Sequence, residues 1–80
     1  MLSQLEQSAK VVGVKQTRRA LQSGLAQALF LARDADPALT EPLAAQAAEQ
    51  GLPVHWADTM RELGRACGIA VGAAVAASLA

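Results

Sequence analysis

Along this 80-residue chain, stretches with apolar residues every three or four positions alternate with short, nearly unbroken apolar runs. The first kind predicts amphipathic helices and the second predicts strands. Leu2, Leu5 and Ala9 share one face of a helix spanning Leu2 to Lys10, with Ser3 as N-cap and Glu6 at capping-box spacing. Val11-Val12-Gly13-Val14 is short and β-branched, a strand that ends at a glycine. Between Gly13 and Gly24 a second helix turns Ala20, Leu21 and Gly24 to one side, with Thr17 leading them. Lys15, Arg18, Arg19 and Gln22 lie on the other side, and Gly24 suits the position after the helix end.

Ala26 to Ala32 is apolar almost throughout, the pattern of a strand covered on both faces. Asp34-Ala35-Asp36-Pro37 is a turn. Either Asp36 caps a helix whose first residue is Pro37, or Pro42 delays the start to near Thr40. Leu39, Leu43 and Ala47 form its inward stripe, and Gly51 ends it. Pro53 to Ala57 predicts a third strand with Val54 and Trp56 on one face. Asp58 or Thr59 caps a fourth helix with Met60, Leu63 and Cys67 inward, Gly64 tightening its contacts and Gly68 stopping it. Val71 to Leu79 predicts the last strand.

Helices and strands thus alternate four times with short connections. That order predicts an α/β fold, a three-layer α/β/α sandwich around a central mixed four-stranded sheet. No repeat or low-complexity linker interrupts it, so one domain over residues 1–80 is expected.

Composition changes this picture little. Alanine supplies much of the apolar content, and there is one Phe, one Trp and no Tyr, so the core must close with small side chains. Cys67 is the only cysteine, which excludes an intrachain disulfide and fits a reducing compartment. MLSQLEQSAK has no apolar signal-peptide core, and the apolar tail from Ile69 is shorter than the ~20 residues a membrane helix needs. A cytoplasmic chain with no membrane contact is the expectation.

Charge changes it more. Lysine plus arginine equal aspartate plus glutamate at seven each, which excludes a bulk polycation. The distribution is uneven. Lys10 to Arg33 holds five basic residues and no acidic ones, whereas Asp34 to Asp58 holds five acidic residues and no lysine or arginine. Such segregation leaves a local anion-binding patch possible on a neutral protein.

Catalytic chemistry is poorly provided for. His55, the only histidine, reads as a half-exposed strand residue, and Cys67 as an inert core thiol. Asp34 and Asp36 are explained by turn formation and capping. No metal site, phosphate-cradling glycine loop or dinucleotide fingerprint is present, so no cofactor and no enzymatic activity are expected.

The basic helix carries the informative signal. Its opening turn gathers Lys15, Arg18 and Arg19, where the helix dipole disfavours cations by roughly 0.3–1 kcal/mol each. No acidic residue compensates them along the helix, and the turn offers free N–H groups suited to a phosphate. Lys15, Arg18 and Arg19 supply charge for a phosphate backbone, and Gln16 supplies an amide for a base edge. Too few aromatics exist for base stacking across a sheet, so a structured RNA read by a helix end is favoured. LGRACGIAVGAA adds Arg65 and a glycine-punctuated turn carrying Ile69, Ala70 and Val71, where an exposed Ile69 can pack on an extruded base. An adaptor that offers the basic face to an acidic protein is the competing interpretation.

Gly13-Val14-Lys15-Gln16-Thr17-Arg18-Arg19, then ARDADP and LGRACGIAVGAA, together resemble the L-seven-Ae family of ribosomal proteins, in particular its small bacterial members. The resemblance runs over nearly the whole chain. It implies an α/β/α sandwich that binds kink-turn RNA, in which tandem sheared G·A pairs accompany a sharp bend. By position it implies Gly13 as a close-approach glycine, Lys15 and Gln16 facing the G·A pairs, and Arg19 contacting guanine or phosphate. Ile69, Ala70 and Val71 would cover extruded bases, with Arg18 and Arg65 added as flanking phosphate contacts. Lys15 and Gln16 stand where archaeal members generally carry Asn and Glu. A ribosome-associated, monomeric RNA binder is the resulting expectation.

Overall fold

The computed structural model describes residues 2–79. Its elements follow in the order α1 (Leu2–Gln7), β1 (Lys10–Val12), α2 (Val14–Gln22), β2 (Ala26–Ala32), α3 (Pro37–Glu49), β3 (Val54–Ala57), α4 (Met60–Ala66) and β4 (Val75–Leu79). The strands form one sheet in the order β1-β4-β2-β3. β4 runs antiparallel to both β1 and β2, and β2 runs parallel to β3, so the sheet is mixed as predicted.

Strand β2 explains the layering. Ala28, Phe30 and Ala32 join Leu5 of α1 and Leu63 and Ala66 of α4 in one buried cluster. The intervening Leu29 and Leu31 join Ala20 and Leu21 of α2 and Leu43 and Ala47 of α3 in another. Successive side chains on a strand point to opposite faces, so a continuous apolar run serves two helical layers at once. Alanines at 28, 32, 76 and 77 keep both interfaces thin, and Phe30 is the one buried aromatic ring. The three-layer sandwich is therefore the observed fold.

Several boundaries differ from expectation. α1 begins at Leu2, which leaves Ser3 inside the helix, and it ends at Gln7. The residues after it are drawn into the sheet, where Ala9 accepts a backbone hydrogen bond from Leu79, so Ala9 is exposed instead of inward. Lys10 joins β1 and Val14 opens α2, with Gly13 alone between them. Gly24 is exposed after the helix end, not inward. Asp36 does cap α3, accepting from the Ala38 amide at 2.9 Å with Pro37 in the first turn. Pro42 does not delay the helix; it lies inside α3 on the exposed side. The inward stripe is Thr40, Leu43 and Ala47; Leu39 is 41% exposed.

In α4, Thr59 and not Asp58 is the cap, accepting from the Glu62 amide at 3.0 Å. Leu63 is buried as predicted, whereas Met60 is exposed and Cys67 only half-buried at the helix end. Trp56 is also exposed, on the edge strand. The last strand starts at Val75, not Val71. α4 takes the hydrogen bond of Ala73, whose amide donates to the Met60 carbonyl at 2.9 Å, and only from Ala74, which accepts from the Ala32 amide, does the chain join β2.

Candidate nucleic-acid interface

The end of β1 and the start of β4 are neighbours in the sheet, with Val12 opposite Ala76. The next residue, Gly13, donates its amide to the Val75 carbonyl at 3.0 Å. That bond joins the first turn of α2 to the segment arriving from α4. Two stretches singled out from distant parts of the sequence therefore emerge together at one end of the sheet.

Gly13 makes the junction sterically possible. Its φ of +97° and ψ of 159° lie in a region essentially reserved for glycine, so the chain passes from strand to helix in one residue. The helix that follows is anchored unequally. At its far end the Leu25 amide donates to the Ala20 carbonyl, Ser23 Oγ to the Arg19 carbonyl at 2.8 Å, and Gln50 Nε2 to the Leu21 carbonyl at 2.8 Å. At its near end no side chain caps the helix and no acidic residue lies in the first turn. The first-turn amides of Val14, Lys15 and Gln16 have no earlier helical carbonyl to bond.

Thr17, Ala20 and Leu21 face the core, while Lys15, Gln16, Arg18 and Arg19 are exposed. None of the three cations forms an ion pair with a described residue; the pair present joins Arg33 and Asp58. The basic face is thus solvent-facing, but the three cations do not crowd the opening turn. α2 starts at Val14, so Lys15 alone lies in the first turn, and Arg19 falls in the last turn, where the helix dipole favours a cation.

The second stretch runs from Gly68 to Ala74. The Gly68 amide bonds the Arg65 carbonyl and the Ile69 amide bonds the Gly64 carbonyl, both at 3.0 Å, which closes α4. Downstream, Ala73 is held by Met60, and the Ala74 carbonyl accepts from the Ala32 amide at 3.0 Å. The backbone is fastened on two sides while Ile69, Ala70 and Val71 stay exposed, Val71 to 70%. Gly64 and Gly72 make this close approach possible. A Cβ on Gly64 would fall on the Val71 carbonyl oxygen, and one on Gly72 would lie 3.1 Å from Met60 Cβ. Gly64 was legible as a close-contact residue. Gly72 was not singled out, although its spacing from Gly68 was the available signal.

Arg65 is placed differently. Its side chain lines an open depression with Leu2, Glu6, Glu62 and Ala66 in the α1/α4 layer, beside two carboxylates instead of among the cations of α2. His55 is half-buried with its ring 5.1 Å from that of Phe30. Burial pushes the Cys67 thiol above its ordinary value, outweighing the opposite pull of Lys10, so the reactive thiolate is disfavoured. Among the described residues no three His, Cys, Asp or Glu side chains come together, and no helix is long and apolar enough to cross a membrane.

Residues 2–80 match the Ribosomal protein L7Ae/L30e/S12e/Gadd45 family. The chain belongs to this family. A relative within it, the "RNA-binding protein YbxF" of Geobacillus stearothermophilus, is 48% identical over 69 residues, covering 86% of this chain and 84% of the relative. An "RNA-binding protein" of Bacillus pumilus is 45% identical over 67 residues, covering 84% of this chain and 82% of its own. Among solved structures, the "Giardia lamblia 15.5kD RNA binding protein" superposes with a TM-score of 0.90 at 25% identity. That match covers 99% of this chain and 70% of the other. The sandwich seen here is therefore shared with that RNA-binding protein.

Proposed function

We propose that this protein binds structured RNA of the kink-turn class and stabilises its bent form, with ribosomal RNA among its partners. The observation that carries this reading is the hydrogen-bonded junction of Gly13 and Val75. It presents an uncapped, basic helix end beside an exposed apolar loop at one end of the sheet. A phosphate at the helix start satisfies the orphan amides of α2 and offsets the charge of Lys15. Lys15 and Gln16, at the tip of the helix, meet the edges of the sheared G·A pairs, and Arg19 contacts a guanine or phosphate. Ile69, Ala70 and Val71 cover a base turned out of the RNA helix.

Family membership and the names of its relatives support RNA as the partner and lend nothing to an adaptor for acidic proteins. The role is binding, not catalysis, and it is carried out by a monomer. Folding RNA into a sharp bend crowds phosphates together. A protein that meets the crowded state with cations binds it more tightly than the straight state, and so shifts the population toward it. Arg65, outside the α2 group, takes at most a flanking phosphate.

Gel-shift titrations with one kink-turn RNA test the reading. Lys15→Ala and Arg19→Ala are expected to cost about 1–3 kcal/mol each, the range for a base-edge contact. Arg18→Ala is expected to reduce the slope of log affinity against log salt by about 0.7–0.9, as for one lost phosphate contact. Replacing the sheared G·A pairs with Watson–Crick pairs should sharply weaken binding by the wild type. Unchanged affinity in both the Lys15 and Arg19 variants, or equal affinity for the repaired RNA, refutes the assignment.

A further inference from the structure

Trp56 plays no part in the surface described so far. The chain has two aromatic residues, Phe30 and Trp56, among many alanines. Phe30 is fully buried; Trp56 keeps 38% of its surface exposed on the edge strand β3. The guanidinium carbon of Arg33 lies 5.8 Å from the centre of the Trp56 ring. Arg33 also reaches Asp58 at 3.6 Å, in an ion pair open to solvent on both sides.

The strand register fixes where this pair stands. Gly13 is bonded to Val75, Val75 is opposite Leu31, and Leu31 is beside Trp56. Three interstrand steps place Trp56 roughly 14 Å from Gly13 across the same end of the sheet. The loop from Gly68 to Ala74 emerges between them, tied to β2 through Ala32. Side chains two apart share a face, and Val54 packs with Leu31 and Val75 in the α2/α3 cluster. Trp56 therefore lies on the side of the sheet that α2 and α3 cover, with α3 the helix packed on β3 itself.

We propose that Trp56, flanked by Arg33, stacks on a further unpaired nucleobase of the bound RNA, beyond the one covered by Ile69 and Val71. This inference rests on the reading of α2 and the loop as an RNA surface. The local charge selects a base over a phosphate. Asp34, Asp36 and Asp58 lie at this end of the sheet, where they repel a sugar–phosphate chain and tolerate a neutral ring. Oxygens of Asp34 and Asp36 are engaged by the Met60 and Ala38 amides, at 2.7 and 2.9 Å. Asp58 holds Arg33 only through an exposed pair, so the guanidinium plane is free to turn onto the base. The shared end of the sheet, where α2 opens with Lys15 in its first turn, favours RNA over a second copy of the chain as occupant.

Trp56 is the only tryptophan, so its fluorescence reports the contact directly. A kink-turn RNA that shifts in a gel is titrated into the wild type, and quenching of Trp56 emission in step with binding is expected. Trp56→Ala is expected to weaken binding roughly tenfold, the order of one lost base–aromatic stack, with Trp56→Phe recovering most of the loss. The salt slope of Trp56→Ala should match that of the wild type, because no phosphate contact is removed. Undisturbed emission on a bound RNA, with full affinity in Trp56→Ala, overturns the inference and leaves the α2 reading intact. An emission maximum that shifts with protein concentration in the absence of RNA also overturns it, in favour of self-association. A wild type that binds no kink-turn RNA removes the α2 reading, and this inference with it.

Discussion

Gly64→Ala places one methyl group where α4 meets the loop. The new Cβ falls on the Val71 carbonyl oxygen and lies 3.1 Å from both the Gly72 Cα and the Val71 carbonyl carbon. All three are main-chain atoms, so no rotamer change relieves the overlap; the loop must lift or the helix must retreat. Two effects compete. Alanine is favoured over glycine inside a helix by about 1 kcal/mol. Forcing a group into a filled site costs about 1–3 kcal/mol, and rigid main-chain neighbours put this site at or above the top of that range. The overlap wins, by about 2 kcal/mol. A chain this size has a total stability of about 4–12 kcal/mol, and the loss corresponds to a fall in Tm of about 8–16 °C. Thermal melts followed by far-UV circular dichroism measure it. RNA affinity should fall as well at temperatures where the variant is fully folded, because the displaced loop carries Ile69 and Val71. A variant that melts at or above the wild-type temperature refutes the argument that Gly64 is needed to seat the loop.

Three further outcomes are expected. Gly13→Ala forces a side chain into the +97° backbone conformation, costs about 1–3 kcal/mol in urea unfolding and weakens RNA binding through the Gly13–Val75 bond; wild-type stability contradicts this. Thr17→Val should raise stability by about 1 kcal/mol, since the Thr17 hydroxyl is buried without a hydrogen-bond partner; a lowered urea midpoint contradicts it. Burial raises the Cys67 pKa, so the folded chain holds the thiol proton more firmly than the unfolded one. The associated stability is complete below the unfolded thiol pKa, about 8.5, and is lost as pH rises through the raised folded value. The urea midpoint of the wild type should therefore fall more steeply above about pH 8.5 than that of Cys67→Ala.

What the sequence disclosed follows the strength of its local signals. Ala26 to Ala32 was legible to the residue because an apolar run interrupted only by Gln27 admits few other arrangements. Asp36-Pro37 and Thr59 marked helix starts through side chains that bond nearby amides. Thr40 was missed in favour of Leu39 because the two differ by one residue around the helix, and tertiary contacts set the rotation. The strand drawn from Val71 failed for a related reason: Val71, Ala73 and Ala74 suit a strand, yet α4 takes the hydrogen bond of Ala73 that a strand would have used. At the candidate site, Lys15, Arg18 and Arg19 could be grouped from helical spacing alone. That α2 starts at the same end of the sheet as the Ile69–Val71 loop could not be read, because it depends on strand order, which local patterns do not encode. Arg65 shows the same gap, falling beside Glu6 and Glu62 in the opposite layer.

The order β1-β4-β2-β3 has one more consequence, for the timing of assembly. β4 is the last described strand along the chain but sits inside the sheet, filling the space between β1 and β2. Emerging from a ribosome, the chain must leave β1 without its neighbour until β4 has been made, and contacts between such distant segments form slowly. The Gly13–Val75 junction, and with it the proposed RNA surface, thus forms only after β4 has been made, so a nascent, half-made chain lacks that surface.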